Sequence, residues 1–116
     1  MNTLKPLAYG YMRIFCDVTE QQVFAMEHRM KEFAEELGFQ LVTMYQEVVN
    51  GSIEEFCDMC KELEQAGVHD VIVPSLRHFS PHEIMQGGMV ERLLFTLDTT
   101  VHALNEHHSE KTSQDG

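Results

Sequence analysis

The sequence predicts one α/β domain of three layers, in which a mainly parallel four-stranded sheet lies between helices on both faces. Strand-like and helix-like segments alternate along the chain, as is typical of parallel sheets. A helix-start signature precedes each predicted helix, and the apolar run at residues 71–73 (VIV) is typical of a strand covered on both faces. A length of 116 residues with 43% hydrophobic side chains suffices for one folded core.

Four segments are predicted as strands, and the first and third are expected to be adjacent and central. They cover residues 9–15, 41–47, 71–73 and 101–104. Residues 1–105 form the predicted domain. The polar segment 106–116 (EHHSEKTSQDG) is predicted to be a disordered tail.

Three predicted helices begin at capping boxes, in which Ser or Thr is followed three positions later by Glu or Gln. The boxes are residues 19–22 (TEQQ), 52–55 (SIEE) and 80–83 (SPHE). Pro81 occupies the first helical position, which proline favours. The third helix is therefore expected to span residues 81–97.

Apolar residues at spacings of three and four predict which helix faces pack on the sheet. Gly38 and Gly67 are predicted to end the first two helices, and Gly87 and Gly88 to weaken the third or permit close packing. The predicted inner faces are Val23, Met26, Met30, Phe33 and Leu37 in the first helix and Ile53, Phe56, Cys57, Cys60 and Leu63 in the second.

The charge balance makes DNA an unfavourable partner for this chain alone. There are 19 acidic and 8 basic residues, which give a formal net charge of -11, and the basic residues do not cluster. DNA binding normally requires a basic surface. No apolar run approaches the ~20 residues of a membrane span. The absence of a signal-like N-terminus and the three cysteines predict a cytoplasmic protein.

Ligand sites in parallel sheets lie at the carboxyl ends of the strands, where this chain has the segments 11–16 (YMRIFC), 50–52 (NGS) and 75–82 (SLRHFSPH). In this order, the segments resemble motifs of the catalytic domain of the serine recombinases (resolvases and invertases). That family's first strand ends in Tyr-x-Arg-Val-Ser-Thr, where residues 11–16 here are YMRIFC. Its Ser-Gly segment corresponds to residues 50–52 (NGS), and its Leu-Asp-Arg-Leu-Ser/Gly-Arg segment to residues 75–82 (SLRHFSPH). The resemblance covers roughly residues 8–105 and implies a resolvase-like fold.

The resemblance also implies a degenerate, inactive member of the family. The serine that attacks a DNA phosphate in the family corresponds to Phe15, which has no nucleophile. Glu54 and Glu55 stand where the family has an arginine after Ser-Gly. Phosphoryl transfer requires cations around the phosphate, and of the family's set only Arg13 clearly remains.

The alignment of the third motif decides which further cations are present. When Leu76 and Phe79 match the family's two leucines, Arg77 falls at the Asp position, and His78 and Pro81 fall at the two arginine positions. A shift of one residue would restore an arginine at Arg77 but would break the hydrophobic match. We prefer the alignment without the shift.

Arg13 is either a remnant of the phosphate site or a structural residue paired with a carboxylate such as Asp17 or Glu47, because a buried charge must be compensated. Cys16 could act as a displaced nucleophile, although an inert, partly buried thiol is the simpler interpretation. The degenerate recombinase-site positions are Arg13, Phe15, Cys16, Asn50, Gly51, Ser52, Arg77 and His78.

Neither a metal nor a cofactor is predicted. Cys57 and Cys60 form a C-x-x-C pair, but no second pair follows at the spacing of a zinc site, and both are expected to pack in the core.

Three functions remain open. The first is an inactive protein-interaction or regulatory module that binds a protein partner or a second copy. We expect the homodimer to form through apolar residues of the third helix, such as Leu94, and an uncovered edge strand. The second is a divergent DNA recombinase domain that uses Cys16 or Ser52 with Arg13 and Arg77. The third is a sensor that binds a small anion or nucleotide in the pocket corresponding to the phosphate site of the recombinase family. No helix-turn-helix segment is predicted.

Overall fold

The structure, a computed structural model, describes residues 4–105, so the predicted tail at 106–116 lies outside the described residues. Four strands, β1 (Leu7–Arg13), β2 (Gln40–Glu47), β3 (Asp70–Val73) and β4 (Thr100–Ala103), form one sheet in the order β2-β1-β3-β4. All three strand pairs are parallel. The predicted parallel sheet, with the first and third strands adjacent and central, is confirmed.

Three helices cover the two faces of this sheet. They are α1 (Glu20–Glu36), α2 (Glu54–Ala66) and α3 (Glu83–Glu91), and a π-helical turn (Arg92–Thr96) follows α3 directly. None of the helices within residues 4–105 has the length and apolar character needed to cross a membrane.

Alternating side chains of β1 divide the core into two clusters, one on each face of the sheet. Ala8 and Met12 pack on the face covered by α1, against Met30 and Ala34. On the opposite face, Tyr9 and Tyr11 join the buried side chains of α2, α3 and the π-helical turn, which include Phe56, Met59, Leu63, Met89 and Leu93. The helices therefore lie on both faces, as predicted.

The first capping box forms as predicted, and glycines end the first two helices. The hydroxyl of Thr19 accepts from the amide of Gln22, and the Gln22 side chain accepts from the amide of Thr19. Gly38 and Gly67 both have positive φ, which glycine adopts without strain. On the predicted inner faces, Leu37 is exposed and Cys57 is only half-buried, while Cys60 is buried as expected.

The other two capping boxes do not form. Ile53 is the N-cap of α2, and a carboxylate from β2 binds the first turn of that helix in place of the box. In the third box, the amide of His82 donates to the Ser80 hydroxyl, and α3 begins only at Glu83 with His82 as its N-cap. Pro81 is therefore not the first residue of the helix, because the chain makes a local turn at Ser80.

The third helix is shorter than predicted, and its glycines have no packing role. A regular α-helix covers Glu83–Glu91, and the hydrogen bond from the Leu97 amide to the Arg92 carbonyl closes the π-helical turn. A Cβ atom added at Gly87 or Gly88 would meet no atom within 4 Å. Close packing therefore does not explain these two glycines.

The first strand ends two residues earlier than predicted. The amide of Arg13 donates to a side chain, Nδ1 of His78, and the amide of Val18 donates to the carbonyl of Phe15 to close a turn. Because the chain turns here, Phe15 and Cys16 lie at the open carboxyl edge of the sheet and not within it.

Candidate functional site

One cleft at the carboxyl edge of the sheet contains most of the predicted site residues. Its volume is about 950 Å³, and it lies between the loops that follow β1, β2 and β3. The topology of parallel sheets places ligand sites at this edge. Six of the eight predicted residues line the cleft: Arg13, Phe15, Cys16, Asn50, Gly51 and Arg77. The remaining two, Ser52 and His78, both bind Arg13.

Arg13 is a buried arginine whose guanidinium donates most of its hydrogen bonds to groups of the protein itself. Its Nε donates to the His78 carbonyl at 3.2 Å, Nη1 to the Ser52 carbonyl at 2.9 Å and Nη2 to the Phe79 carbonyl at 2.7 Å. Nη2 also donates to the hydroxyl of Tyr11 at 3.2 Å. Four of the five N–H groups of the guanidinium are thus engaged within the chain. The residue is only 7% exposed.

The predicted ion pair between Arg13 and Asp17 or Glu47 is wrong. Within residues 4–105 no carboxylate lies within salt-bridge distance of the guanidinium. Backbone carbonyls, whose dipoles point at the guanidinium, compensate the charge instead. Glu47 contributes only indirectly, because the hydroxyl of Tyr11 accepts from Arg13 and donates to Oε1 of Glu47 at 2.8 Å.

Glu47 caps the start of α2, a structural role that the sequence patterns did not predict. Its carboxylate is 2% exposed, and it accepts from the amides of Glu55 at 3.1 Å and Phe56 at 3.2 Å. A carboxylate is favourable at a helix N-terminus because the amides there are unpaired and the helix dipole is positive. Burial raises the pKa of Tyr11, and its hydrogen bond to Glu47 raises it further. The phenol therefore stays protonated and links the two buried charges.

His78 is a neutral histidine at the wall of the cleft. The pKa of its imidazole is lowered to about 4, mainly by burial and also by the charges of Arg77 and Arg13. Because Nδ1 accepts the Arg13 amide at 3.0 Å, the neutral ring carries its proton on Nε2. His78 therefore supplies no positive charge to the cleft near neutral pH.

Phe15 contacts both Arg77 and His78. The guanidinium of Arg77 lies over the Phe15 ring, with 5.1 Å between Cζ and the ring centroid, and the His78 ring meets the same phenyl group edge-on at 5.1 Å. Such an arrangement is a cation–π contact. The exposed cation of the cleft is thus held against an aromatic ring.

The hydroxyl and thiol groups near the cleft differ in their exposure. The Ser52 hydroxyl accepts from the amide of Glu54, and the Ser80 hydroxyl, on a residue only 5% exposed, accepts from the amide of His82. Cys16 is exposed, so the expectation of a partly buried thiol is wrong. The reason is the early end of β1, which places Cys16 in the turn that follows.

Asn50 and Gly51 form the predicted turn after β2. Gly51 has φ of 80°, and the amide of Ser52 donates to the carbonyl of Val49. Both turn residues are exposed at the cleft. The turn also positions the Ser52 carbonyl that binds Arg13.

The described residues offer neither a metal-binding cluster nor a reactive thiol at Cys60. Within residues 4–105, no group of three or more His, Cys, Asp or Glu side chains converges closely enough to hold a metal ion. Cys60 is buried in the core, and burial raises the pKa of its thiol to about 11. Cys60 is therefore a core side chain and not a reactive thiol.

Comparison with known proteins was informative at the level of structure only. No protein-family model matches the sequence, and no curated protein matches it significantly. The N-terminal catalytic domain of TP901-1 integrase superposes with a TM-score of 0.70 at 17% identity, covering 85% of this chain and 77% of that chain. A resolvase family site-specific recombinase from Streptococcus pneumoniae gives 0.72 at 18% identity, covering 88% and 74%.

A third solved structure is similar to the same extent. The C-terminal catalytic domain of ISC1926 TnpA, an IS607-like serine recombinase, gives a TM-score of 0.68 at 14% identity, covering 84% of this chain and 68% of that chain. The chain has a resolvase-like fold. The expected fold of the resolvase-like domain is therefore confirmed. The cleft at the carboxyl edge of this domain contains the residues that the sequence motifs singled out.

Proposed function

We propose that this resolvase-like domain is a catalytically inactive protein-interaction module. The observation that carries the proposal is the state of Arg13, whose guanidinium donates to three backbone carbonyls and to Tyr11. An arginine that stabilises a phosphate must direct its N–H groups at the phosphate oxygens. Here those groups join the loops around the cleft.

The side chains beside Arg13 support the same proposal. Phe15 offers no hydroxyl for attack on phosphorus, and the neutral imidazole of His78 adds no charge for its stabilisation. Arg77 remains as an exposed cation, but it lies on the Phe15 ring. The divergent recombinase and the anion sensor both require a cationic pocket, which a saturated Arg13 and a single Arg77 do not provide.

Exposed apolar side chains at the cleft supply the surface that an interaction module needs. Val48, Ile84 and Met85 line the cleft and are 65%, 93% and 44% exposed. Large apolar side chains that cluster at a concave surface mark protein-interaction sites more often than isolated ones do. The proposed ligand is accordingly a protein. The free thiols of Cys16, Cys57 and Cys60 fit a reducing compartment such as the cytoplasm.

A second apolar patch supports self-association. Leu94 and Phe95, in the π-helical turn, are 40% and 80% exposed. The turn packs near β4, which pairs with β3 alone among the described strands and so presents an edge. We propose that a homodimer uses this patch, which is separate from the cleft.

Two measurements on the full chain test the proposed function. Incubation with supercoiled DNA, followed by denaturing electrophoresis, should show neither strand cleavage nor a covalent adduct. When the protein in its native host carries a photo-crosslinking residue at position 84 in place of Ile84, a discrete protein adduct should form. No such adduct should form when the same residue replaces the exposed Glu64. DNA cleavage would contradict inactivity, and identical crosslinking at both positions would contradict an interaction surface at the cleft.

A further inference from the structure

The apolar cleft is continuous with two neighbouring hollows along the carboxyl edge of the sheet. A hollow of about 550 Å³ shares Asn50, Gly51 and Ile53 with the cleft and extends along the start of α2. Another, of about 400 Å³, shares Arg13 to Phe15 and extends beside α1. Together with the cleft they form one extended groove along this edge of the sheet.

Within residues 4–105, three exposed carboxylates line the groove. Asp17 lines the cleft, and Glu54 and Asp58 line the hollow beside α2. The exposed cations that line the groove are Arg77, held on Phe15, and Arg29, at the far end beside α1. The charge of Arg13 is buried and is compensated mainly by backbone carbonyls, with Glu47 reaching it only through the Tyr11 hydroxyl.

The groove thus combines apolar side chains with a carboxylate-rich border at its α2 end. We propose that it binds a basic amphipathic segment of a partner protein, whose apolar side chains occupy the cleft beside Val48, Ile84 and Met85. Lysine or arginine side chains of that segment pair with Asp17, Glu54 and Asp58. The inference rests on the proposed function and adds the chemical class of the partner.

Charge distinguishes this occupant from the alternatives. A second copy of the chain carries the same formal net charge of -11, and its eight basic residues are dispersed. Self-docking at this groove would place carboxylates opposite carboxylates, which is unfavourable. DNA is disfavoured by the same charge. A basic amphipathic segment satisfies both the apolar side chains and the carboxylates, because its two faces present the two chemistries.

Fluorescence anisotropy with three labelled 16-residue model peptides tests the proposal. The first carries Leu on one helical face and Lys on the other, the second replaces each Lys with Glu, and the third replaces each Leu with Ser. The full chain should bind the Leu/Lys peptide at least about tenfold more tightly than either of the others, because both faces contribute. Raising the salt concentration should weaken the binding.

Two pairs of variants locate the binding. Ile84→Glu should weaken binding of the Leu/Lys peptide at least about tenfold, whereas Phe24→Glu, at an exposed aromatic residue outside both the groove and the proposed dimer patch, should not. The triple change Asp17→Asn, Glu54→Gln and Asp58→Asn should weaken it several-fold. The matched triple change Glu35→Gln, Glu36→Gln and Glu64→Gln, at exposed carboxylates elsewhere, should leave it unchanged although the net charge changes equally.

Each contrary result has a distinct meaning. Equal weakening by both triple changes would show non-specific attraction of a basic peptide and overturn the proposal, as would tight binding of the Leu/Glu peptide. Loss of a self-associated species in Ile84→Glu would assign the groove to a second copy and overturn it as well. All three results leave the inactive interaction module intact, whereas DNA cleavage by the chain would contradict that module whatever the peptides do.

Discussion

The backbone amide of Arg13 donates to Nδ1 of His78 at 3.0 Å, and the guanidinium of the same arginine donates to the His78 carbonyl at 3.2 Å. These two bonds join the end of β1 to the loop after β3 across 65 positions of sequence. The pair closes the sheet at its carboxyl edge, where β1 still pairs with β2 but no longer pairs with β3. Arg13 and His78 therefore act first as structural residues.

Replacing Arg13 should destabilise the domain. We expect Arg13→Lys to lower the free energy of unfolding by about 2–3 kcal/mol, because an ammonium cannot reach the carbonyls of Ser52, His78 and Phe79 together. Urea denaturation followed by circular dichroism measures this change. Arg29→Lys, at an exposed position of α1, is the matched control and should have little effect. An unchanged stability in Arg13→Lys would contradict the structural role.

Stability should depend on the protonation of His78. The folded-state pKa of about 4 lies below the ordinary value of 6.5, so the unfolded chain binds more protons between these two pH values. The contribution of His78 to stability is therefore complete above pH 6.5 and decreases as the pH falls toward 4. His78→Asn retains an acceptor for the Arg13 amide but cannot titrate. Urea midpoints measured between pH 4 and 7 should fall less steeply in this variant than in the original chain, with exposed His28→Asn as control.

DNA chemistry should be absent even after a hydroxyl is restored. Phe15→Ser places a hydroxyl where the resemblance puts the nucleophile, but Arg13 remains bound to carbonyls and His78 remains neutral. We expect no covalent adduct with supercoiled DNA in the original chain or in this variant. A denaturing gel with labelled DNA is the measurement. An adduct that disappears in Cys16→Ser would instead establish the exposed thiol as a nucleophile.

Binding to duplex DNA should be undetectable at micromolar protein and physiological salt. Non-specific binders reach a Kd of roughly 10⁻⁴–10⁻⁶ M through phosphate contacts, and this chain has a formal net charge of -11. Anisotropy of a labelled duplex checks this expectation, with a basic DNA-binding protein as positive control. A micromolar Kd that weakens steeply with salt would be inconsistent with it.

Self-association should depend on the patch at the π-helical turn. We expect analytical ultracentrifugation to show a species near twice the chain mass of 13.4 kDa, with an interface of at least ~1,000 Å². Leu94→Glu should shift the species toward monomer without unfolding, since Leu94 is 40% exposed. Phe24→Glu, at an exposed apolar residue on α1, is the control. A monomer at high micromolar concentration would refute the homodimer.

The sheet could be predicted because its signals are local. The apolar run of β3 and the alternation of strands and helices specify a parallel sheet. The capping box at Thr19 and the glycine at the end of α2 can each be recognised from a few consecutive residues. The candidate residues meet in one cleft because parallel strands end at the same edge. The motifs therefore predicted where the site lies.

The contacts within the site could not be predicted in the same way. Arg13 was interpreted either as a remnant of the phosphate site or as the partner of a carboxylate, but its partners are carbonyls whose positions depend on loops 39 to 66 residues away. The predicted capping box at residues 52–55 does not form, because Glu47, eight positions before Glu55, binds the start of the same helix from the preceding strand. Sequence patterns report local competition for hydrogen bonds, whereas these outcomes depend on tertiary packing.

The carboxylate of Glu47 also has a consequence for how the domain opens. Because it holds the amides of Glu55 and Phe56 from the end of β2, the first turn of α2 cannot fray without exposing a buried charge and the phenol of Tyr11. Helix ends are ordinarily among the first backbone groups to exchange with solvent. Here the start of α2 belongs to the same cooperative unit as the central strands, and the wall of the groove formed by this helix inherits the rigidity of the sheet.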